Sequence, residues 1–254
     1  MFKRISIFGF GVVSYAIFFA TFLYAIGFIG NIVVPKSIDA VPQVSFLTAL
    51  LVNSALLGIF AIQHSVMARP AFKRWLTRYV PRSAERSVYV LASSIALIAL
   101  FAHWEPMGGV VWQITDPFGQ TMLYAAYAFG WALVLVATFM INHFDLFGLR
   151  QVWLQLLGKE YTPLPFKTPS LYKVVRHPLY VGWFFAFWAT PTMTAAHLVF
   201  ALLASAYILI AIQLEERDLA QVHPEYRGYK QRVPMLVPRL FGKRNGRPPA
   251  TEAA

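Results

Sequence analysis

Apolar residues run along this chain in long blocks separated by short polar stretches, and the block lengths set the first expectation. An α-helix rises about 1.5 Å per residue, so crossing a hydrocarbon core of about 30 Å takes about 20 apolar residues. Four blocks meet or approach that length: Ile5 to Gly30, Val44 to Ile62, Ser87 to Trp104 and Gln120 to Ile141. The first follows Lys3 and Arg4 as a signal peptide would, but it exceeds the usual apolar run of about 7–15 residues and further spans follow, so it is expected to be retained. A last block, Tyr180 to Leu214, would be about 50 Å long as one helix. The sequence Thr190-Pro191-Thr192-Met193-Thr194 interrupts it and predicts a tight helical hairpin turning near Pro191, whose first arm is short for a full crossing. The expected fold is all-α: a polytopic membrane bundle of about six transmembrane helices with the last two paired.

Charge orients this bundle. With the N-terminus inside, all of the 22 Lys and Arg residues except Lys36 fall on one side, in the segments around Lys3, Arg69 to Arg86, Arg150 to Arg176 and Arg217 onward. Both termini are therefore expected in the cytoplasm, and a bacterial inner membrane is the expected location. Composition agrees: 58% of residues are hydrophobic and 13% charged, against about 25% charged in soluble domains. The +11 net charge beside membrane spans points to topology and anionic lipid rather than nucleic acid. With no cysteine, the chain has no disulfide, thiolate zinc site, iron–sulfur cluster or cysteine nucleophile, and no metal site is expected. Residues 1–242 read as one membrane domain, and 243–254, rich in Pro, Gly and charge, as a disordered tail. Nothing points to a protein partner.

Polar groups near membrane segments are costly unless paired or wetted, so each is a candidate functional group. On the cytoplasmic side fall His64, then Asn142, His143 and Asp145, then Arg176 and His177, then Glu215, Glu216 and Asp218. His103, Glu105, Asp116 and His197 fall on the other side and receive no role. Arg176 and Tyr180, four residues apart, share a helix face, Pro178 suits a first helical turn, and Gly182 admits a close backbone or ligand. The hairpin brings that face toward Glu215 and Glu216. A guanidinium beside carboxylates suits a zwitterion: an arginine fork grips a carboxylate, a glutamate holds an ammonium, and Tyr180, Trp183 or Tyr226 can offer a face to a sulfonium. The competing reading is a solvated helix end, with Arg176 reaching for lipid phosphates and the glutamates bonding Arg217 or Arg227.

The stretch RHPLYVG, a hairpin, and then EERDLAQVHPEYRGYKQRVPMLVP resembles the C-terminal signature of the isoprenylcysteine carboxyl methyltransferase group of integral-membrane enzymes. Upstream, QHSVMARPAFKRW, PRSAERSVYVL and NHFDLFGLRQVW resemble bacterial methanethiol S-methyltransferases, which share an NnrU-like N-terminal half. The resemblance implies NnrU-like helices over 1–141 and a cofactor-binding part over 142–242. It implies transfer of a methyl group from S-adenosyl-L-methionine to methanethiol, giving dimethyl sulfide and S-adenosyl-L-homocysteine, and it implies that Arg176, His177, Tyr180, Gly182, Glu215 and Glu216 line the cofactor pocket. A small alkyl thiol is no more acidic than cysteine, pKa about 8.5, so a base or a favourable field is needed. His64 and His143 are the candidates, with Asp145 able to orient an imidazole. A histidine capping its own helix is the alternative for each. Three other functions remain open: methylation of another thiol, an isoprenylcysteine or a phospholipid through the same cofactor site; a non-catalytic NnrU-like protein holding haem between His64 and His143; and a transporter, for which the spans hold few polar residues.

Overall fold

The computed structural model describes residues 1–239 of the 254-residue chain, so the segment 243–254 lies outside the described residues. In chain order the elements are α1 (Phe2–Gly30), α2 (Phe46–Ala68), α3 (Pro70–Leu76), α4 (Glu85–His103), β1 (Val110–Gln113), α5 (Pro117–Ile141), α6 (His143–Leu146) and α7 (Leu149–Leu156). There follow α8 (Pro178–Trp188), β2 (Thr192–Thr194), α9 (Ala195–Val222) and α10 (Glu225–Arg232).

Among the described residues five helices, α1, α2, α4, α5 and α9, are long and apolar enough to cross a membrane, and the protein is an integral membrane protein. Their starts follow from local chemistry. Ser45 and Thr194 accept backbone hydrogen bonds as N-caps of α2 and α9, and Asp116 caps α5 ahead of Pro117 at its first position. The outward side of α2 presents Leu47, Leu51, Ile59 and Ile62, apolar residues left exposed because lipid is their partner.

The sixth arm departs from the expected helix. Helix α8 has 11 residues, about 16 Å, half of a crossing. Beyond Trp188 the chain extends, and β2 pairs antiparallel with β1, Met193 opposite Trp112 and Thr192 opposite Gln113. The Ile114 amide donates to the Pro191 carbonyl at 2.8 Å, and Trp112 Nε1 to the Thr190 carbonyl at 3.2 Å. Pro191 and the β-branched threonines disfavour helix here, and the ladder with β1 satisfies the backbone instead. The hairpin thus reaches the level at which α5 begins through a short helix plus an extended segment, where an all-helical pair was expected.

Antiparallel alternation sorts the loops onto two faces. The near face, where α1 begins, also carries the ends of α2, α5 and α9 and the starts of α4 and α8; the far face carries β1, β2 and the loop before α2. On the far face the Asp39 carboxylate takes a hydrogen bond from Thr194 and one from Asn31 at 2.7 Å, with buried His197 at 3.6 Å. Asn53, fully buried, bonds both backbone groups of Glu105. Through the middle run Phe28, Leu100, Trp104, Phe187, Phe200 and Ile212.

Two features position the near-face site. Helices α5 and α8 meet at glycines: a Cβ on Gly182 would stand 2.7 Å from the Gly130 carbonyl oxygen and 2.8 Å from the Val134 amide nitrogen, and one on Gly130 would stand 2.7 Å from the Ala186 nitrogen. Helix α9, 28 residues and about 42 Å, outruns a core of about 30 Å by about eight residues. Counting about 20 residues from Ala195 places Glu215 and Glu216 where α9 leaves the hydrocarbon.

Candidate active site at the near face

Arg176 and His177 stand just before α8, and the hairpin sets them beside the emerging end of α9. Arg176 Nε donates to Glu216 Oε1 at 2.6 Å, and His177 Nε2 lies 3.0 Å from the same oxygen. Lys230 of α10 reaches Glu216 Oε2 at 2.7 Å. Glu216 is only 2% exposed. A carboxylate so enclosed is tolerable only when paired, and three nitrogens share it. Arg176 Nη1 donates to the carbonyls of Lys230, at 3.0 Å, and Val233, while the Arg176 and His177 amides donate to those of Pro234 and Met235. The stretch after α9 is strapped across the start of α8 by these bonds. Arg176 and Glu216 are thus not a solvated helix end, and among the described residues the partners of Glu216 are Arg176, His177 and Lys230 rather than Arg217 or Arg227.

The network leaves groups available. Arg176 Nη2 has no hydrogen bond among the described residues. Tyr226 is 2% exposed, and its hydroxyl is buried without a partner among the described residues. Burial and the nearby Glu216 charge push this phenol well above its ordinary pKa, so it keeps its proton and is a donor in want of an acceptor. Glu215, exposed, accepts from the Tyr180 hydroxyl through Oε2 at 3.0 Å, and its Oε1 has no hydrogen bond among the described residues. Two donors and one anionic acceptor around a buried ion pair fit the carboxylate and ammonium of an amino-acid zwitterion.

A second polar cluster lies between α2, α4 and α9. His64 Nδ1 is 3.1 Å from Ser93 Oγ, Tyr89 Oη stands 3.1 Å from Nδ1 and 2.8 Å from Nε2, and Phe60 stacks on the imidazole at 5.3 Å between centroids. Ser65 and Tyr207 hydroxyls pair at 3.0 Å, and Arg69 bridges to Asp218 at 3.0 Å, fastening α2 to α9. Asp218 stands three residues beyond Glu215 on α9, so the Arg69–Asp218 bridge brings this cluster to the same end of α9 as the Tyr180–Glu215 pair.

Three expected site residues stand elsewhere or act differently. His143 is buried on the other flank, with Nε2 2.8 Å from Tyr15 Oη and Nδ1 2.8 Å from Thr138 Oγ1. Asp145 orients neither imidazole. Arg150 holds its carboxylate at 2.8 Å and Tyr161 donates to it at 3.3 Å, because Gly148, at φ 87, turns the chain so that Arg150 folds back. Gly182 gives close approach to the backbone of α5. Haem held between His64 and His143 would need both rings facing one cavity, whereas His64 packs among α2 and α4 and both nitrogens of His143 are taken. Lys230, Tyr89 and Ser93 escaped the sequence reading. Tyr89 and Ser93, four apart within or beside PRSAERSVYVL, share a face of α4, a signal that was present; Lys230 had none beyond its place in a polar run.

The fold and this arrangement define an integral-membrane protein with a buried ion-paired site where its helices emerge. No family model matches the chain, and no solved structure matches it. Curated relatives do: methanethiol S-methyltransferase of Crocosphaera subtropica is 57% identical over 237 residues, 93% of this chain and 92% of that one. Methanethiol S-methyltransferase 2 of Bradyrhizobium diazoefficiens is 53% identical over 245 residues, 96% and 94%. Nurim of Bos taurus is 32% identical over 189 residues, 71% of each chain. This chain belongs to the methanethiol S-methyltransferase family, and the resemblance carried by its motifs is borne out.

Proposed function

We propose that the protein methylates methanethiol to dimethyl sulfide with S-adenosyl-L-methionine, at the near face, and that this face lies in the cytoplasm. The observation that carries the reading is the Arg176–Glu216 pair at 2.6 Å with Arg176 Nη2 and the buried Tyr226 hydroxyl left over as donors. S-adenosyl-L-methionine supplies, when bound, a methyl group on a positively charged sulfur. Arg176 and Tyr226 take its carboxylate, and Glu215 takes its ammonium. His177, Glu216 and Lys230 fix Arg176, and Gly182 holds α8 against α5 so that these groups keep their places. Tyr180, whose hydroxyl donates to Glu215, would offer its ring to the sulfonium. His64 receives the thiol proton through Nε2, which raises the nucleophilicity of sulfur as it takes the methyl group. Holding the partners in line inside a water-poor site is the protein's larger contribution.

The orientation is supported by the near-face placement of every Lys and Arg but Lys36 among the described residues, which also suits anionic lipid of a bacterial inner membrane. Isothermal titration of folded protein with S-adenosyl-L-homocysteine, joined to headspace detection of dimethyl sulfide from methanethiol, tests the reading. Saturable binding with dimethyl sulfide release is expected. Folded protein that binds no S-adenosyl-L-homocysteine overturns it.

A further inference from the structure

We infer that Ser93 is the positioning residue of His64: its hydroxyl accepts the Nδ1 hydrogen and so leaves the Nε2 lone pair free for the thiol proton. The inference rests on the reading of His64 as the base.

Tyr89 Oη lies 3.1 Å from one ring nitrogen of His64 and 2.8 Å from the other. No oxygen approaches both nitrogens so closely in the ring plane without colliding with the carbon between them. Oη therefore sits over the ring face, and it does not fill the in-plane direction of either nitrogen. Phe60, stacked at an interplanar angle of 27°, packs the ring as well. His64 is confined by its faces and has its edge to offer.

Ser93 Oγ, by contrast, contacts Nδ1 alone, at 3.1 Å. A neutral imidazole carries one N–H, and an N–H without an acceptor near the membrane interior is costly, more so than an unused lone pair. The hydrogen on Nδ1 has an acceptor in Ser93, whereas a hydrogen on Nε2 would have none in its plane among the described residues. Ser93 also takes a long contact from Gln63 Nε2, 3.4 Å, which holds its lone pairs toward α2. Helical spacing places Tyr89 and Ser93 on one face of α4, so a single helix supplies both the cover and the tautomer-setting group.

The step balances: the new S–CH3 bond forms as the methyl group leaves the sulfonium sulfur, whose bonding pair stays on the S-adenosyl-L-homocysteine product, the thiol S–H bond breaks with Nε2 taking the proton, and the imidazolium, still donating to Ser93 through Nδ1, later releases it to water.

The test uses full-length protein in bilayers with 15N-labelled histidine. Nitrogen chemical shifts of wild-type protein, with the His64 signals assigned by their loss in His64→Ala, should show Nδ1 protonated and Nε2 bare. The opposite pattern overturns the inference without any Ser93 variant having to fold. In turnover, Ser93→Ala should lower kcat about tenfold or more with KM for methanethiol little changed, and Ser93→Thr, which keeps the hydroxyl, should recover most of it. Wild-type kcat in Ser93→Ala overturns the role of Ser93 while leaving His64 as base. Full turnover in His64→Ala overturns the base reading itself, and unimpaired S-adenosyl-L-homocysteine binding in these variants separates both outcomes from loss of the cofactor site.

Discussion

His64 and His143 lie on the same face of the bundle, each near the end of a long apolar helix, and their surroundings divide their work. His143 spends both nitrogens on protein partners, Tyr15 and Thr138, each at 2.8 Å, and stacks on Phe139 at 4.2 Å between centroids. It is 3% exposed and ties the end of α5 to α1. His64 is half-buried, spends Nδ1 on Ser93, and has at Nε2 only the Tyr89 hydroxyl, 2.8 Å away over the ring face, among the described residues. A ring with both nitrogens engaged fastens helices; a ring with one nitrogen unspent beside the groups proposed to hold the cofactor can move a proton. Residue type and depth are alike in the two cases, and hydrogen-bond accounting tells them apart.

The pair of substitutions that strains this comparison hardest is His64→Ala against His143→Ala. His64→Ala is expected to cost about 10²–10⁴ in kcat, the usual worth of a positioned acid–base group, with S-adenosyl-L-homocysteine binding kept. His143→Ala should spare kcat per folded molecule and cost about 2–3 kcal/mol of stability, since Tyr15 and Thr138 lose a buried partner. Folded His143→Ala without turnover, with the cofactor product still bound, would reverse the assignment.

Next in size is Arg176→Ala. It strips a 2%-exposed carboxylate of its shortest partner, which should cost about 3–5 kcal/mol in thermal or denaturant unfolding and abolish S-adenosyl-L-homocysteine binding. Arg176→Lys should return part of the stability through charge and little of the binding, because a lysine cannot replace the fork. Smaller again is Gly182→Ala. The added Cβ meets backbone of α5 at 2.7–2.8 Å, where nothing flexible can yield, so about 1–3 kcal/mol is expected. The shift of α8 should weaken S-adenosyl-L-homocysteine binding. The His143 flank should keep its stability contribution, which a His143→Ala background would measure as an additive loss.

How far the sequence reached follows from which forces leave local marks. Block length alone located α1, α2, α4 and α5; the N-caps Ser45, Asp116 and Thr194 carry a further local signal, acting within three residues, that the sequence reading did not use. Arg176 could be placed beside Glu216 because a hairpin forces its open ends onto one face. The rest depended on contacts between elements. Nothing in Val110–Gln113 announces a strand until Thr192–Thr194 is there to pair with it. Lys230 sits in the polar run YKQR, where it reads as solvated, and its contact with Glu216 comes only from α10 folding over that carboxylate. The Tyr89–His64 contact joins two helices: periodicity gives the face of each but not which faces meet. Asp145 misled for a like reason, since the left-handed Gly148 lets Arg150 claim it ahead of either histidine.

The smallest expected effect is the pH dependence of stability set by His143. Burial lowers its pKa below the ordinary 6.5, because the charged ring loses water that Tyr15 and Thr138 only partly replace. In the unfolded chain the same ring takes a proton as pH falls through about 6.5, while the folded protein does not. Over that window the unfolded state binds more protons, so its free energy drops relative to the native state. The contribution of His143 is therefore complete above about pH 6.5 and declines as the solution is acidified toward the folded-state pKa. Unfolding curves at pH 7.5 and 5.5 should show a steeper loss for wild-type protein than for His143→Gln, which keeps a polar side chain but cannot titrate. His177, His197 and the carboxylates are common to both proteins and cancel in the difference. An equal loss in the two would mean that His143 is protonated in the native state, and its role as a neutral fastener between α1 and α5 would fail.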